Sequence, residues 1–115
     1  MIPPNLQAEM LFALLVVHLL CDFPLQGDFL SKAKNHKTPI AGVPWSTALS
    51  SHAAIHAGGV WLITGSLTLG LIEFVAHTLI DYAKCDGRLT FNMDQALHLA
   101  CKGGYVLALT QGWVS

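Results

Sequence analysis

Apolar and polar residues follow one another along the chain in a pattern that predicts four long helices. The first apolar run reads LQAEMLFALLVVHLLCDF and stops before Pro24, whose ring and missing N–H end or bend a helix. From Thr38 to Ile72 no residue carries a formal charge. That stretch is too long for one membrane crossing of about 20 residues but suits most of two. Gly65 and Ser66 offer the turn between them.

These runs predict an all-α fold, a transmembrane up-down four-helix bundle that forms one domain over residues 1–115. The polar connector DGRLTFN separates the last two helices. Segment 24–44 contains lysines, prolines and Gly42, so we expect a surface loop there, with a helical turn over residues 28–35. The four predicted helices cover residues 5–23, 45–64, 67–84 and 93–113.

Composition strengthens the expectation of a lipid environment. Hydrophobic residues make up 53% of the chain and charged residues 11%, whereas soluble domains carry about 25% charged residues. The alternative is a soluble helical bundle with a large core, because the uncharged part of the first helix spans only Met10 to Cys21. The first residues lack the basic start of a signal peptide, so we expect them to remain in the mature protein.

The net charge and the spacing of the cysteines argue against several classes of protein. The formal net charge of -1 disfavours a nucleic-acid-binding protein, which would carry a basic excess. The three cysteines have no C-x-x-C spacing, so neither a disulfide framework nor a thiolate zinc cluster is indicated. We interpret Cys21, Cys85 and Cys101 as small packing residues. A ligand role is the alternative for Cys21 and Cys101, which lie close in sequence to Asp22 and His98.

Each predicted helix carries one pair of ionisable residues spaced i, i+4. That spacing places both side chains on one helix face, about one turn apart. Five of the six histidines belong to these pairs, and only His36, in the predicted loop, does not. Intramembrane ionisable groups are costly and mark functional sites. The pairs are His18 and Asp22, His52 and His56, His77 and Asp81, and Asp94 and His98.

An up-down topology would bring all four pairs to the same end of the bundle. The pairs stand at the end of the first and third helices and at the beginning of the second and fourth. One residue of each pair would form a shallow layer and the other a layer one turn deeper. The shallow layer is Asp22, His52, Asp81 and Asp94, and the deeper layer is His18, His56, His77 and His98.

Imidazoles together with carboxylates predict a site for a divalent metal ion such as zinc, iron or manganese. Eight candidate ligands exceed the needs of one ion. Two ions would use them, or one ion would take four to six groups while the others orient ligands, bind substrate or move protons. Haem held by two histidines is disfavoured, because it would require single histidines facing across a broad pocket.

One turn deeper than the histidines, two charged residues share the same helix faces. Glu73 precedes His77 by four residues, and Lys102 follows His98 by four. We predict that Glu73 and Lys102 form a buried ion pair; the alternative is that one of them reaches the surface.

The basic residues predict the orientation in the membrane. Lys32, Lys34, Lys37, Lys84 and Arg88 fall at the end that carries the site. The positive-inside tendency then places the site on the cytoplasmic side of a multi-pass inner-membrane protein, with both termini outside.

Several short strings together resemble a family of small bacterial and phage membrane proteins catalogued as a domain of unknown function. A more distant resemblance is to membrane-bound metal-dependent hydrolases. The first resemblance implies a helical membrane protein and lends no established reaction. The strings are H-x-x-x-D-F-P-L-Q from His18, a lysine at Lys32, H-x-x-x-H from His52, H-x-x-x-D-x-x-K from His77 and D-Q-x-x-H from Asp94.

The resemblance draws attention to Gln26, Lys32 and Lys84 at the mouth of the predicted site, as groups that would bind an anionic small molecule or a lipid headgroup. Ordinary surface solvation or anchoring in the membrane also explains them.

Two functions remain open from the sequence. One is a metal-dependent hydrolase of a phosphoester or lipid-like substrate, with Asp81 or Asp94 as general base where it is not a ligand. The other is a non-enzymatic membrane protein in which the metal or the His/Asp cluster is structural or handles ions or protons. The partner expected in both cases is the lipid bilayer, and a homo-oligomer is compatible with either.

Overall fold

The computed structural model describes residues 2–115, which form five helices and no β-strand. The all-α expectation is therefore confirmed. The helices are α1 (Pro4–Asp22), α2 (Gly27–Ala33), α3 (Trp45–Thr64), α4 (Leu67–Cys85) and α5 (Phe91–Thr110).

The ends of the helices follow from local chemistry. A proline within the first turn suits the start of α1, because the first N–H groups of a helix have no partner within it. Helix α3 ends at Gly65, whose φ of 70° is a left-handed conformation that glycine adopts without strain. Ser66 then caps α4 by accepting a hydrogen bond from the Leu69 N–H. Thr90 caps α5 in the same way.

The predicted bounds of α1 and α4 differ from the structure by one residue, and those of α5 differ by more. Helix α5 begins two residues before the predicted 93–113, because Thr90 supplies the cap, and it ends at Thr110, before the turn at Gly112. In segment 24–44, the helical turn predicted over residues 28–35 corresponds to α2, which covers residues 27–33. Asp28 in its first turn and Lys32 in its last turn complement the helix dipole.

The four long helices pack side by side in a ring. Helices α3 and α4 share the most extensive interface; α1 packs against α3 and α5, and α4 also packs against α5. The short α2 lies against α3. This arrangement puts the end of α1, the start of α3, the end of α4 and the start of α5 together, as the contacts of Asp22 with His52 and of Asp81 with His98 demonstrate.

Apolar and ionisable side chains are buried in separate halves of this ring. An apolar core, built around Leu14, Val60 and Leu69, fills the half of the ring away from the histidines. The other half buries histidine, aspartate, glutamate and lysine. Large apolar side chains point outward from the long helices instead, including Leu62, Leu79 and Phe12 at 82%, 64% and 69% exposure.

Among the described helices, α1 is the one whose length and apolar composition suffice to cross a membrane. A single helix of this kind, close to the N-terminus, does not by itself indicate a membrane protein, since signal sequences and core helices share these properties.

Candidate metal centre

Five histidines and three aspartates, from all four long helices, meet at one end of the ring. Every one of these side chains is at most 8% exposed. The imidazole rings of His56 and His77 are stacked with centroids 3.8 Å apart, and those of His77 and His98 lie 4.2 Å apart. The structure therefore brings the eight predicted residues together: His18, Asp22, His52, His56, His77, Asp81, Asp94 and His98.

A first group of four residues is arranged closely enough to hold a metal ion. Asp22, His52, His56 and His77 each offer one ligand atom, and these atoms lie within 4.8 Å of one another. Asp22 Oδ1 lies 3.1, 2.9 and 4.0 Å from the Nε2 atoms of His52, His56 and His77, respectively. Ligands bound at about 2.0–2.2 Å in a tetrahedron are separated by roughly 3.3–3.6 Å. Small movements would turn the group into a coordination sphere.

A second group of ligand size adjoins the first. Asp81, Asp94 and His98 also offer atoms within 4.8 Å of one another. His98 Nε2 lies 3.1 Å from Asp81 Oδ1 and 3.4 Å from Asp94 Oδ1. The two groups share no residue, but Glu73, His77 and His98 form a third group of the same kind, which takes one histidine from each.

Each group contains a buried atom without a hydrogen-bond partner among residues 2–115. The first group has two such atoms, Nε2 of His77 and Nδ1 of His52, and of these Nε2 of His77 faces the other ligands. The second group has Oδ1 of Asp94. His77 and Asp94 are 0% and 2% exposed. Leaving such atoms unpaired costs about 1–3 kcal/mol each, and a cation would remove the cost. The donor chemistry and the unpaired atoms fit a divalent ion.

Glu73 determines which nitrogen of His77 faces the group. The ionised carboxylate can only accept, so Nδ1–H of His77 donates to Glu73 Oε2 at 3.0 Å. The Nε2 lone pair of a neutral ring then points to Asp22 and Asp81. A carboxylate behind a histidine is the usual way in which proteins orient a metal ligand.

The predicted buried pair between Glu73 and Lys102 is confirmed. Lys102 Nζ donates to both carboxylate oxygens of Glu73, at 2.8 and 2.9 Å, and both side chains are 1% exposed. The Tyr105 hydroxyl donates a further hydrogen bond to Oε1. The sequence analysis missed Tyr105, although it follows Lys102 by three residues and therefore shares its helix face.

His18 takes a different position from the other histidines. It belongs to none of the three ligand groups found among the described residues; its Nε2 lies 3.0 Å from Gln95 Oε1 and 3.5 Å from Asp22 Oδ2. The amide nitrogen of Gln95 in turn donates to Asp22 Oδ2 and Asp94 Oδ2. Gln95 therefore links the two groups. Gln95 belongs to the D-Q-x-x-H string, but the sequence analysis assigned it no role; its place three residues before His98 puts it on the same face.

The lysine at the centre is Lys34, and Lys32 is exposed away from it. Lys34 Nζ donates to Asp81 Oδ2 at 2.8 Å, and Lys34 is 6% exposed. The two lysines are equivalent in sequence, because both lie in a basic segment. Their positions at the end of α2 distinguish them. Lys32 lies in the last turn of the helix, whereas Lys34 follows the buried Ala33 as the residue that caps the helix.

A cleft of about 270 Å³ connects the centre with the surface. Gln26 lines it and donates to the Asp22 carbonyl. Lys84 lines it as well, with Nζ 4.9 Å from the ring centroid of Phe91. Two of the three predicted substrate-binding residues therefore border the cleft, together with Lys34, Asp81 and Asp94.

An aromatic and ionic cluster outside the ring fastens the segment that carries Lys34. The His36 ring stacks on Tyr82 at 4.0 Å, and its Nε2 lies 3.0 Å from Asp86 Oδ1. Hydrogen bonds from Arg88 and from His36 hold the pKa of Asp86 below its usual range, so its charge persists in mildly acidic solution. His36 thus has a local structural contact, apart from the eight site residues.

The buried charges do not balance if the imidazoles are neutral. Four carboxylates, of Asp22, Glu73, Asp81 and Asp94, face the two ammonium groups of Lys34 and Lys102. The surplus of two negative charges is costly away from water. A divalent cation would compensate it, as would protons on the imidazoles.

Comparison with known proteins places the chain in a family. A family model described as "Protein of unknown function (DUF3307)" matches residues 10–110. The comparisons with curated proteins and with solved structures give no significant match. Since the matched region includes all eight site residues and most of the four long helices, the chain belongs to the DUF3307 family.

Proposed function

We propose that this protein is a multi-pass membrane protein that holds a divalent ion at the His/Asp centre and hydrolyses a phosphoester or lipid-like substrate at the cytoplasmic face. The observation that carries the proposal is the unpaired Nε2 of His77, which lies 3.3 Å from Oδ2 of Asp81, a residue that lines the surface cleft. An ion there would meet substrate entering through the cleft.

The distribution of side chains supports insertion of all four long helices as a transmembrane bundle. Each long helix has 19 or 20 residues, which at about 1.5 Å per residue matches a hydrocarbon layer of about 30 Å. Each also exposes large apolar residues, such as Val16, Leu62, Val75 and Leu107. Lipid would cover these surfaces, while the ring keeps its ionisable groups away from the lipid.

Membrane insertion predicts resistance to extraction. In isolated membranes treated with alkaline carbonate, we expect the protein to stay in the pellet and to be released only by detergent, because apolar contact with lipid is insensitive to pH. Alkaline phosphatase fused after Ser115 should be active outside the cell, whereas a fusion after Lys37 should be inactive. Release by carbonate alone would contradict insertion, and the reverse fusion pattern would contradict the orientation.

Hydrolysis would use the carboxylates at the inner end of the cleft. A divalent ion supplies Lewis acidity, which polarises the ester and makes a nearby water more acidic. Asp94 Oδ1, which is buried without a hydrogen-bond partner among the described residues, would accept the proton of that water where Asp94 is not itself a ligand. The water oxygen then bonds to phosphorus, the bond between phosphorus and the alcohol oxygen breaks, and the alcohol leaves with the proton.

The border of the cleft favours an anionic substrate. Lys84 is held at the cleft by the Phe91 ring and can contact a phosphoryl oxygen. Gln26 has a buried Oε1 without a partner among the described residues, so it can accept a hydrogen bond from a substrate hydroxyl. These contacts suit a phosphorylated headgroup or a small phosphoester.

Hydrolytic activity is tested on detergent-purified protein loaded with Zn²⁺ or Mn²⁺, using fluorogenic phosphomonoester, phosphodiester and carboxylic ester substrates in mixed micelles. We expect metal-dependent release of alcohol from a phosphoester. Lys84→Gln should raise KM several-fold, and Lys37→Gln is the matched control, because Lys37 pairs with Asp86 away from the cleft. Stoichiometric metal without hydrolysis of any substrate would favour the non-enzymatic alternative instead.

A further inference from the structure

We infer that the centre holds a second divalent ion, bound by Asp81, Asp94 and His98, with Asp81 bridging the two ion positions. This second position rests on the proposed function and narrows its substrate to a phosphoester. Paired ions a few ångströms apart stabilise both the attacking and the leaving oxygen of a phosphoryl group.

The two oxygens of Asp81 face different ligand groups. Oδ1 lies 3.1 Å from Nε2 of His98. Oδ2 lies 3.3 Å from Nε2 of His77 and 3.4 Å from Nε2 of His52, both in the first group. A carboxylate with one oxygen toward each group has the arrangement of a bridging ligand. Lys34 also contacts Oδ2, but a carboxylate oxygen can accept from Lys34 and still face an ion.

Asp94 is an independent indication of a ligand at the second position. Its Oδ1 is buried without a hydrogen-bond partner in the described chain and lies 3.4 Å from His98 Nε2. Its Oδ2 is oriented by the Gln95 amide, which also holds Asp22 Oδ2 of the first group. Gln95 therefore aligns one carboxylate of each position at the same time.

Charge balance connects the second ion with the substrate class. Two divalent ions add four positive charges. The surplus of two negative charges among the buried groups would therefore become a surplus of two positive charges. A phosphomonoester dianion would offset that surplus, whereas a neutral carboxylic ester would not. The cleft reaches the second group directly, because Asp81 and Asp94 are both among its lining residues.

The second ion changes the role of Asp94 from general base to ligand, and this difference is measurable. Equilibrium dialysis against Mn²⁺ with elemental analysis should give two ions per chain for the wild type and one for Asp94→Asn and for His98→Ala. Asp28→Asn, which alters an exposed carboxylate at the same cleft, should retain two. The wild type with two Mn²⁺ ions should also show the exchange-coupled paramagnetic resonance spectrum of neighbouring ions. Helix content by circular dichroism and elution volume identify any variant that fails to fold.

Other outcomes of these experiments distinguish a failure of the second ion position from a failure of the proposed function. One ion per wild-type chain, retained in Asp94→Asn with loss of hydrolysis, would overturn the second position and leave a single-ion hydrolase with Asp94 as base. Two ions with isolated, uncoupled spectra would overturn the Asp81 bridge. A wild type without stoichiometric metal would overturn the second ion and the proposed metal-dependent function together.

Discussion

Lys102→Met is expected to destabilise the protein by about 3–5 kcal/mol, because it leaves the buried carboxylate of Glu73 without its cation. The neighbours that remain, His77 and Tyr105, donate hydrogen bonds to Glu73 but do not carry a permanent charge. Reversible unfolding in mixed detergent micelles, with increasing fractions of denaturing detergent, measures the loss.

The matched control for this variant removes both charges. Glu73→Gln combined with Lys102→Met should recover much of the lost stability, since no unpaired charge remains in the interior. The double variant should still bind metal about 10–100-fold more weakly, because a neutral amide orients His77 less firmly than a carboxylate does. Stability of Lys102→Met equal to that of the wild type would contradict the buried pair.

His56→Ala is expected to abolish stoichiometric binding at the first ion position, with a loss of affinity of at least about 100-fold. It removes one of the three nitrogen donors that surround Asp22 Oδ1, and a carboxylate with two imidazoles holds an ion less tightly. Asp81→Ala should lose metal as well, because its carboxylate lies against both ligand groups. Elemental analysis of detergent-purified protein measures the metal content.

His36→Ala is the control for these two variants. It removes an imidazole that contacts Asp86 and Tyr82 outside the ring, so its metal content should equal that of the wild type. Equal trace metal in wild type, His56→Ala and Asp81→Ala would mean that the histidines and aspartates form a hydrogen-bonded cluster without an ion.

The site was more predictable than its surroundings, for a geometric reason. Residues four positions apart on a helix share a face whatever the rest of the chain does, and the i, i+4 pairs therefore converge once four helices pack. The same periodicity predicted the contact between Glu73 and Lys102. By contrast, Lys34 reaches Asp81 across 47 positions of the sequence, and no repeat in the segment 24–44 marks it as different from Lys32.

The periodicity of the sequence also could not predict which of the buried histidines belong to a ligand group. His18 and His56 both stand on interior faces, yet His56 faces Asp22 in the first group and His18 turns to Gln95. The choice depends on the rotation and spacing of neighbouring helices, which the i, i+4 spacing within one helix does not determine. The division of the ligands into separate groups depends on the same packing.

Local rules were sufficient to derive the helical class, the approximate extent of the long helices, the convergence of the ionisable pairs and the deeper ion pair, because each depends on backbone periodicity and on the cost of burying charge. The packing of α1, α3, α4 and α5 around one another determined the rest. It created the cleft, the contact of Lys34 with Asp81, the link through Gln95 and the separate ligand groups. Those features depend on distances between residues far apart in the chain, and the spacing of residues along the sequence does not determine such distances.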